Sequence, residues 1–308
     1  MRKTGILLVF IFLVLTGIKS QIHDQEERDW RDNRQVIKII SYNIFNGFNW
    51  GKDTSRQDKF VEWVKQQSPD IIALQELCGF SETKLLDLAH SYGHSYAAIV
   101  KEDGYPVGIT SRFPIEIIEK RIKGYGHGML HCRILDLDFL VTHLNPSDWK
   151  TRKEEANHMV EYIQSKKLTR CLLMGDLNAH SPFDAHILES RWQLLKAMLE
   201  SDLKTTNGKV NLNDGYPEYS VISTFISASL HDMCKSFVPD EERYTYPTRI
   251  LVSTPKGEMK IQQQERLDYI FVSDDLRSAC PDAYIYNGAD TDYLSDHYPI
   301  GIRLLLTE

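Results

Sequence analysis

The stretch Arg170–His180 reads RCLLMGDLNAH. An apolar run, Cys171–Met174, meets Gly175-Asp176-Leu177-Asn178 at once. A short apolar run bounded by a turn signal reads as a buried strand. A carboxylate at the end of such a strand is costly unless a partner waits there. Residues i and i+2 of a strand face the same way, so Asp176 and Asn178 are expected to project together. Taken alone, Gly-Asp-Leu-Asn also fits an ordinary Asx turn.

The same arrangement recurs outward from this point. Asn43 ends the run VIKIISYN, and Glu76 ends DIIALQE. His143 ends DFLVTH, with Asn145 two residues on. Asp268 sits inside RLDYIFVS, and Asp296 and His297 precede the last run, HYPIGIRLLL. Each case alone has an ordinary explanation: a cap, a strand-end charge, a core histidine. Together with Asp176 they point to one shared site. Asp296 and His297 can share it only if the chain bends there, which Ser295 and Pro299 allow. Like charges ~4 Å apart repel by ~4 kcal/mol at an effective dielectric near ~20. Convergence of Glu76, Asp176, Asp268 and Asp296 therefore calls for a cation. Oxygen ligands without a nearby cysteine pair favour Mg²⁺ or Mn²⁺, with Ca²⁺ also compatible. Carboxylates, metal and histidines suit phosphoester hydrolysis. The metal offsets charge on phosphate oxygens, an aspartate orients or deprotonates water, and a histidine steadies the transition state or protonates the leaving group.

Helices are expected at 56–67, near 81–92, at 148–167 with Ala156, Met159, Val160 and Ile163 on one face, and at 183–202. HSYAAIV, YPVGITS, IEIIEKRI, MLHCRIL and DFLVTHL read as a meander of strands, while 203–265 is loop-rich and unassigned. Mixed strands with helices between them predict an α/β fold of two packed sheets covered by helices.

The chain has 308 residues, enough for one large domain. Arg2 and Lys3 precede an apolar stretch from Gly5 to Ile18, and Ser20 follows. That pattern predicts a secretory signal peptide over 1–20. The stretch is shorter than the ~20 residues that span a bilayer. A polar leader (21–35) and a catalytic domain (36–308) follow, with no transmembrane span expected in the mature, secreted or periplasmic chain. Loss of 1–20 removes three basic residues and no acid, taking the formal charge from −7 to −10. Such a balance disfavours tight binding along nucleic acid by phosphate neutralisation alone. The five cysteines are scattered and odd in number, so no bridge is predicted; Cys171 reads as a small buried hydrophobe. Nothing signals an obligate protein partner.

In order, SYNIFNG, LQE, VTHLN, GDLN, RLDYIF and SDHYP resemble the endonuclease/exonuclease/phosphatase superfamily from about Val36 to Leu305. The resemblance implies a four-layer sandwich, with two mainly antiparallel sheets face to face and helices outside. It implies Glu76 and Asn43 as the metal pair and Asp296 as a further metal-associated acid. Asp176 would activate the attacking water, and Asn178 would contact the phosphate. His297 would be the catalytic histidine, oriented by Asp268, and His143 an acid or phosphate ligand of the deoxyribonuclease and sphingomyelinase branches. QELCGF lacks the lysine usual in apurinic-site endonucleases, and RLDYIF replaces the Trp-Thr-Asp-Arg-Ile of inositol polyphosphate 5-phosphatases. The substrate expected is a phosphoester: nucleic acid, a lipid head group or a small molecule. A non-specific nuclease, a sphingomyelinase-like diesterase and an inactive binding module are the alternatives. The presence of Glu76, Asp176 and His297 together favours an enzyme.

Lesser features complete the reading. Asn145 and Arg266, the latter preferred over Arg112, are candidate substrate contacts. Tyr244–Thr248 lines the substrate side or forms a turn. His127 reads as a flexible hairpin tip or, with its flanking glycines, as a residue reaching a cleft. Trp50 and Trp149 read as core-edge residues or as rings that stack on a base or sugar.

Overall fold

In the computed structural model, which describes residues 34–253 and 263–307, the apolar runs pair into two six-stranded sheets. Residues 1–20, where a signal peptide is expected, and the expected leader up to residue 33 lie outside the described residues. Residues Ile37–Leu304 form one compact unit; of the second, 1–36 with 305–308, only strand ends are described. The strands are β1 (Arg34–Asn43), β2 (Ile71–Gln75), β3 (Tyr96–Ile99), β4 (Gly108–Ser111), β5 (Glu116–Arg121), β6 (Met129–Ile134), β7 (Leu137–His143), β8 (Cys171–Asp176), β9 (Leu230–Asp232), β10 (Asp268–Ser273), β11 (Asp282–Ile285) and β12 (Ile300–Thr307). One sheet runs β11-β12-β1-β2-β4-β3 and the other β5-β6-β7-β8-β10-β9. The pairs β1–β2 and β7–β8 are parallel. Those flanking them, β2–β4, β6–β7 and β8–β10, are antiparallel.

The expected meander is divided. β3 and β4 belong to the first sheet, and β5, β6 and β7 to the second. Arg112-Phe113-Pro114, between β4 and β5, is no tight hairpin turn, and Pro114 cannot donate to a ladder. The chain crosses to the other sheet there.

Helices cover the outer faces, as patterned. α1 (Thr54–Gln67) starts where the Asp53 side chain accepts the Arg56 N–H at 3.0 Å, and stops at Ser68 (φ +49) before Pro69. α2 (Glu82–Ser91) is capped by Ser81, and α3 (Trp149–Lys166) by Asp148. α4 (Ala185–Ser190), α5 (Trp192–Leu203) and α6 (Ser220–Ser227) follow. Phe60 and Trp63 of α1 and Leu85 and Leu88 of α2 pack on Tyr42 and Leu74 of the first sheet. Met159 and Ile163 of α3 and Val221 and Phe225 of α6 pack on Leu140, Leu173 and Phe271 of the second. A fully buried ring such as Phe60 contributes roughly 2–3 kcal/mol by area. β2, β7, β8 and β10 are buried along their whole length, on both faces. This explains why they read as continuous apolar runs.

All five cysteines are buried and free. Among the described residues no helix is long and apolar enough to cross a membrane.

Candidate active site

The parallel strands β1 and β2 end at one level, with Asn43 opposite Gln75 and Glu76 next in the chain. In the second sheet, His143, Asp176 and Asp268 lie side by side on β7, β8 and β10. Gly175, just before Asp176, has φ +144, and a Cβ there would stand 1.8 Å from the Thr142 carbonyl oxygen of β7. Only glycine fits that close approach. The buried strand in RCLLMGDLNAH thus runs into an aspartate because neighbouring strand ends deliver partners to it.

The partners meet at one oxygen. Asp176 Oδ2 accepts from Asn43 Nδ2 at 3.0 Å and lies 3.4 Å from His143 Nε2 and 3.6 Å from His297 Nε2. Behind it, His297 Nδ1 is 2.8 Å from Asp268 Oδ2. Burial pulls the imidazolium down, but the charges of Asp268 and Asp176 outweigh it and hold the His297 pKa well above the usual histidine range. Burial pushes Asp268 up, and the facing imidazolium opposes that push. The proton of this pair therefore resides on His297.

His297 reaches the cluster through a bend. Ser295 Oγ donates to the Asn43 carbonyl at 2.6 Å and accepts the His297 N–H at 3.3 Å. The Thr248 N–H donates to the Asp296 carbonyl at 3.0 Å. The bend lets the adjacent residues Asp296 and His297 serve one site.

Glu76 is held at both oxygens: Oε1 accepts from Asn43 Nδ2 at 3.2 Å and Oε2 from the Asn46 N–H at 2.6 Å. Its own φ is +58, and every residue from Phe45 to Gly51 has positive φ. A left-handed turn of L-residues costs roughly 1–2 kcal/mol per residue. Its surroundings hold it in place. Phe48 is fully buried against Phe60 at 5.3 Å, and buried Arg56 donates to the carbonyls of Ile44, Phe45 and Leu294 at 2.8, 2.8 and 3.0 Å. A Cβ on Gly47 would lie 2.2 Å from the Cys78 carbonyl oxygen. Strain retained beside a polar cluster is typical of functional sites. Here it aims one N–H at Glu76.

Burial, with the charges of Glu76 and Asp176, raises the Asp296 pKa to about 6 against the pull of His297. Glu76 and Asp296 thus form a carboxylate cradle short of positive charge, which fits a hard divalent ion. Asn43 points its Nδ2 at Glu76 and its Oδ1 at the Phe45 N–H, 3.1 Å away, so its amide must turn to offer an oxygen there. Asp176, Asp268 and His297 also bring donor atoms within 4.8 Å of one another. Asp268 and His297 are already engaged with each other and Asp176 with Asn43, so the Glu76 side fits an ion better.

The other expected residues lie differently. Asn178 is beside Asp176 through a turn, not through strand alternation. β8 ends at Asp176, and Asn178 (φ +48) donates Nδ2 to the Leu144 carbonyl at 3.1 Å. Asn145 is not drawn into the cluster; its Oδ1 accepts from Ser147 and Asp148 at 2.8 and 3.0 Å, turning the chain into α3. Arg266 is no substrate contact. It is 3% exposed and committed to Asp184 at 2.7 Å and Asp232 at 2.9 Å. Arg112 pairs with Asp70 and Ser68 by the start of β2, away from Glu76.

Tyr246, from the stretch expected on the substrate side or in a turn, and His127, from the glycine-flanked hairpin, join the site. The Tyr246 ring lies 5.0 Å from His297, and His127 lies 4.4 Å from His143, with Tyr105 5.6 Å beyond. Burial, His143 and Lys101 push the His127 pKa down to about 3, so its ring is neutral. Glu155 of α3 holds both histidine loops, accepting the N–H groups of Gly126 and Asn145 at 2.8 Å each. Beside Asn178 and Tyr246 opens a cavity of about 350 Å³, also lined by Arg152, His180 and Glu265.

The model of the endonuclease/exonuclease/phosphatase family matches residues 40–297. The chain belongs to this family and is a hydrolase of phosphoester bonds. It is 27% identical over 293 residues to an exodeoxyribonuclease of Bacillus subtilis (strain 168), covering 86% of this chain and 98% of that one. Its fold is shared with a Neisseria 3′ phosphatase bound to a product DNA hairpin (TM-score 0.63, 17% identity, 87% of this chain and 99% of that one). It is shared also with an AP endonuclease from Archaeoglobus fulgidus (TM-score 0.62, 18% identity, 86% and 98%).

Proposed function

We propose that the chain is an exported, divalent-metal-dependent phosphodiesterase that acts on nucleic acid by directed attack of water. The observation that carries the reading is the meeting of Asn43, His143 and His297 on one oxygen of Asp176. Asp176 is the acceptor that holds and orients the attacking water. The charged His297, steadied by Asp268, faces the phosphate oxygens on which negative charge builds. His143 borders the same space and fixes the phosphate against Asp176, whose carboxylate the Asn43 amide holds in place. Glu76, Asn43 and Asp296 would hold the divalent ion, which when bound offsets charge on the phosphate. The exodeoxyribonuclease likeness supports nucleic acid over lipid or inositol phosphate. The basic start and apolar stretch of residues 2–18 support export.

The test is a panel of plasmid DNA, RNA, single-stranded oligonucleotide, sphingomyelin vesicles and inositol phosphates, offered to residues 21–308 with Mg²⁺ or Mn²⁺. Nucleic acid is expected to be cleaved, EDTA to stop the reaction, and excess ion to restore it. Full turnover in EDTA, or turnover of sphingomyelin alone, contradicts the reading. For export, protein collected outside the cytoplasm should begin near residue 21. Recovery only inside cells with Met1 intact argues against it.

A further inference from the structure

We propose that Trp50, Tyr105 and His127 form a stacking shelf for an unpaired nucleobase next to the scissile phosphate, making single-stranded nucleic acid or a frayed end the preferred substrate. The proposal rests on the phosphodiesterase reading above and extends it. The three rings form a continuous run from solvent to the catalytic cluster. Trp50 meets Tyr105 edge-on at 6.1 Å and 75°, and Tyr105 meets His127 edge-on at 5.6 Å and 65°. His127 lies tilted on His143 at 4.4 Å and 31°, so successive rings offer faces in different directions. His143 in turn faces Asp176. Trp50 is 48% exposed and Tyr105 38%, so ring surface faces water at the mouth of the site.

Each ring stands on a fixed support. Trp50 lies in the left-handed turn that also serves Glu76. The Tyr105 loop is tied to the residue after Glu76, where the Leu77 N–H donates to the Pro106 carbonyl at 3.0 Å. The His127 hairpin is held through Gly126 by Glu155. Lys101, whose ammonium donates to the Gly126 carbonyl at 3.4 Å, adds positive charge on this side.

The chemistry of the shelf selects its occupant. Aromatic rings with a neutral imidazole and a nearby ammonium suit a planar base on a phosphate backbone. An acyl chain would find no aliphatic groove in these rings, and an inositol polyphosphate would need several cations. A base inside a duplex is already stacked and hides its face; an unpaired base offers it. Net acidity points the same way. With a formal charge of −7 the chain has little to gain from phosphate neutralisation along a duplex, and stacking supplies affinity that does not depend on net charge.

The test measures affinity and turnover on two ligands of equal length, oligothymidylate and the same phosphodiester backbone built of abasic tetrahydrofuran units. Trp50→Ala and Tyr105→Ala are each expected to weaken oligothymidylate binding about tenfold and to leave the abasic backbone unaffected. Trp50→Phe, which keeps a ring, should retain most of the affinity. Wild-type protein should bind oligothymidylate more tightly than the same strand in a duplex. Unchanged oligothymidylate binding in both alanine variants overturns the shelf, and so does an equal loss on both ligands. Base-selective binding by a wild-type protein that cleaves neither ligand would uphold the shelf and overturn the catalytic reading instead.

Discussion

Asp176→Asn is expected to lower kcat for phosphodiester hydrolysis by at least ~100-fold, the scale of lost general acid–base help, with the fold intact. The amide has the shape of the carboxylate but not its charge, and half of it is a donor. Asp176 now accepts from Asn43 and faces two histidine nitrogens. An amide oxygen can serve one of those groups, while its NH₂ confronts the others and cannot take a proton from water. Stability is pulled both ways and should change little: one charge fewer eases the repulsion on Asp296 but removes a carboxylate that helps hold the buried His297 charged. Steady-state kinetics and thermal unfolding on the same preparation separate the two effects. Turnover within ~3-fold of wild type would remove Asp176 from the mechanism, since a positioned base is worth far more.

His297→Gln is expected to cost ~100-fold or more in kcat, Asp268→Asn a comparable factor, and the double variant little beyond the worse single one. Residues that act as one unit are strongly non-additive. Asp268 has no role of its own at the phosphate; it lies behind the ring, 2.8 Å from Nδ1, and is 1% exposed. Its work is to keep the imidazole charged and correctly turned. Without it, burial acts unopposed by the nearest charge, and His297 loses its proton more readily. Steady-state rates of the two singles and the double form the measurement. Losses that multiply would show that Asp268 and His297 act independently, against the geometry described.

Much of this site was legible because polar residues at the ends of apolar runs are expensive, and the chain carries several of them. Asn43, Glu76, His143, Asp176, Asp268, Asp296 and His297 all announce themselves in this way, and the structure gathers them. The Ser295 bend was also readable. Arg266 misled because proximity to Asp268 in the chain suggested a free cation at the site. β10 begins only at Asp268, so strand alternation does not govern Arg266, which turns to Asp184 and Asp232. Asn178 was placed for the wrong reason, since the strand stops at Asp176. His127 shows in the sequence only as a glycine-flanked hairpin tip able to reach a cleft, and Tyr105 gives no signal, because what matters about it is a ring contact with another loop. The left-handed turn at Phe45–Gly51 was equally hidden. It is imposed by Glu76, Arg56 and the core beneath Phe48, and local propensity opposes it. The unassigned 203–265 region holds short elements, such as the three-residue β9, that lack the length to show a period.

A divalent ion is expected among Glu76, Asn43 and Asp296, across Asp176 from His297. The most direct measurement is an anomalous difference map from crystals of the protein soaked in Mn²⁺. A single strong peak in contact with the Glu76 carboxylate is the expected result. A peak held instead by Asp176, Asp268 and His297, or none anywhere near Glu76, would contradict it.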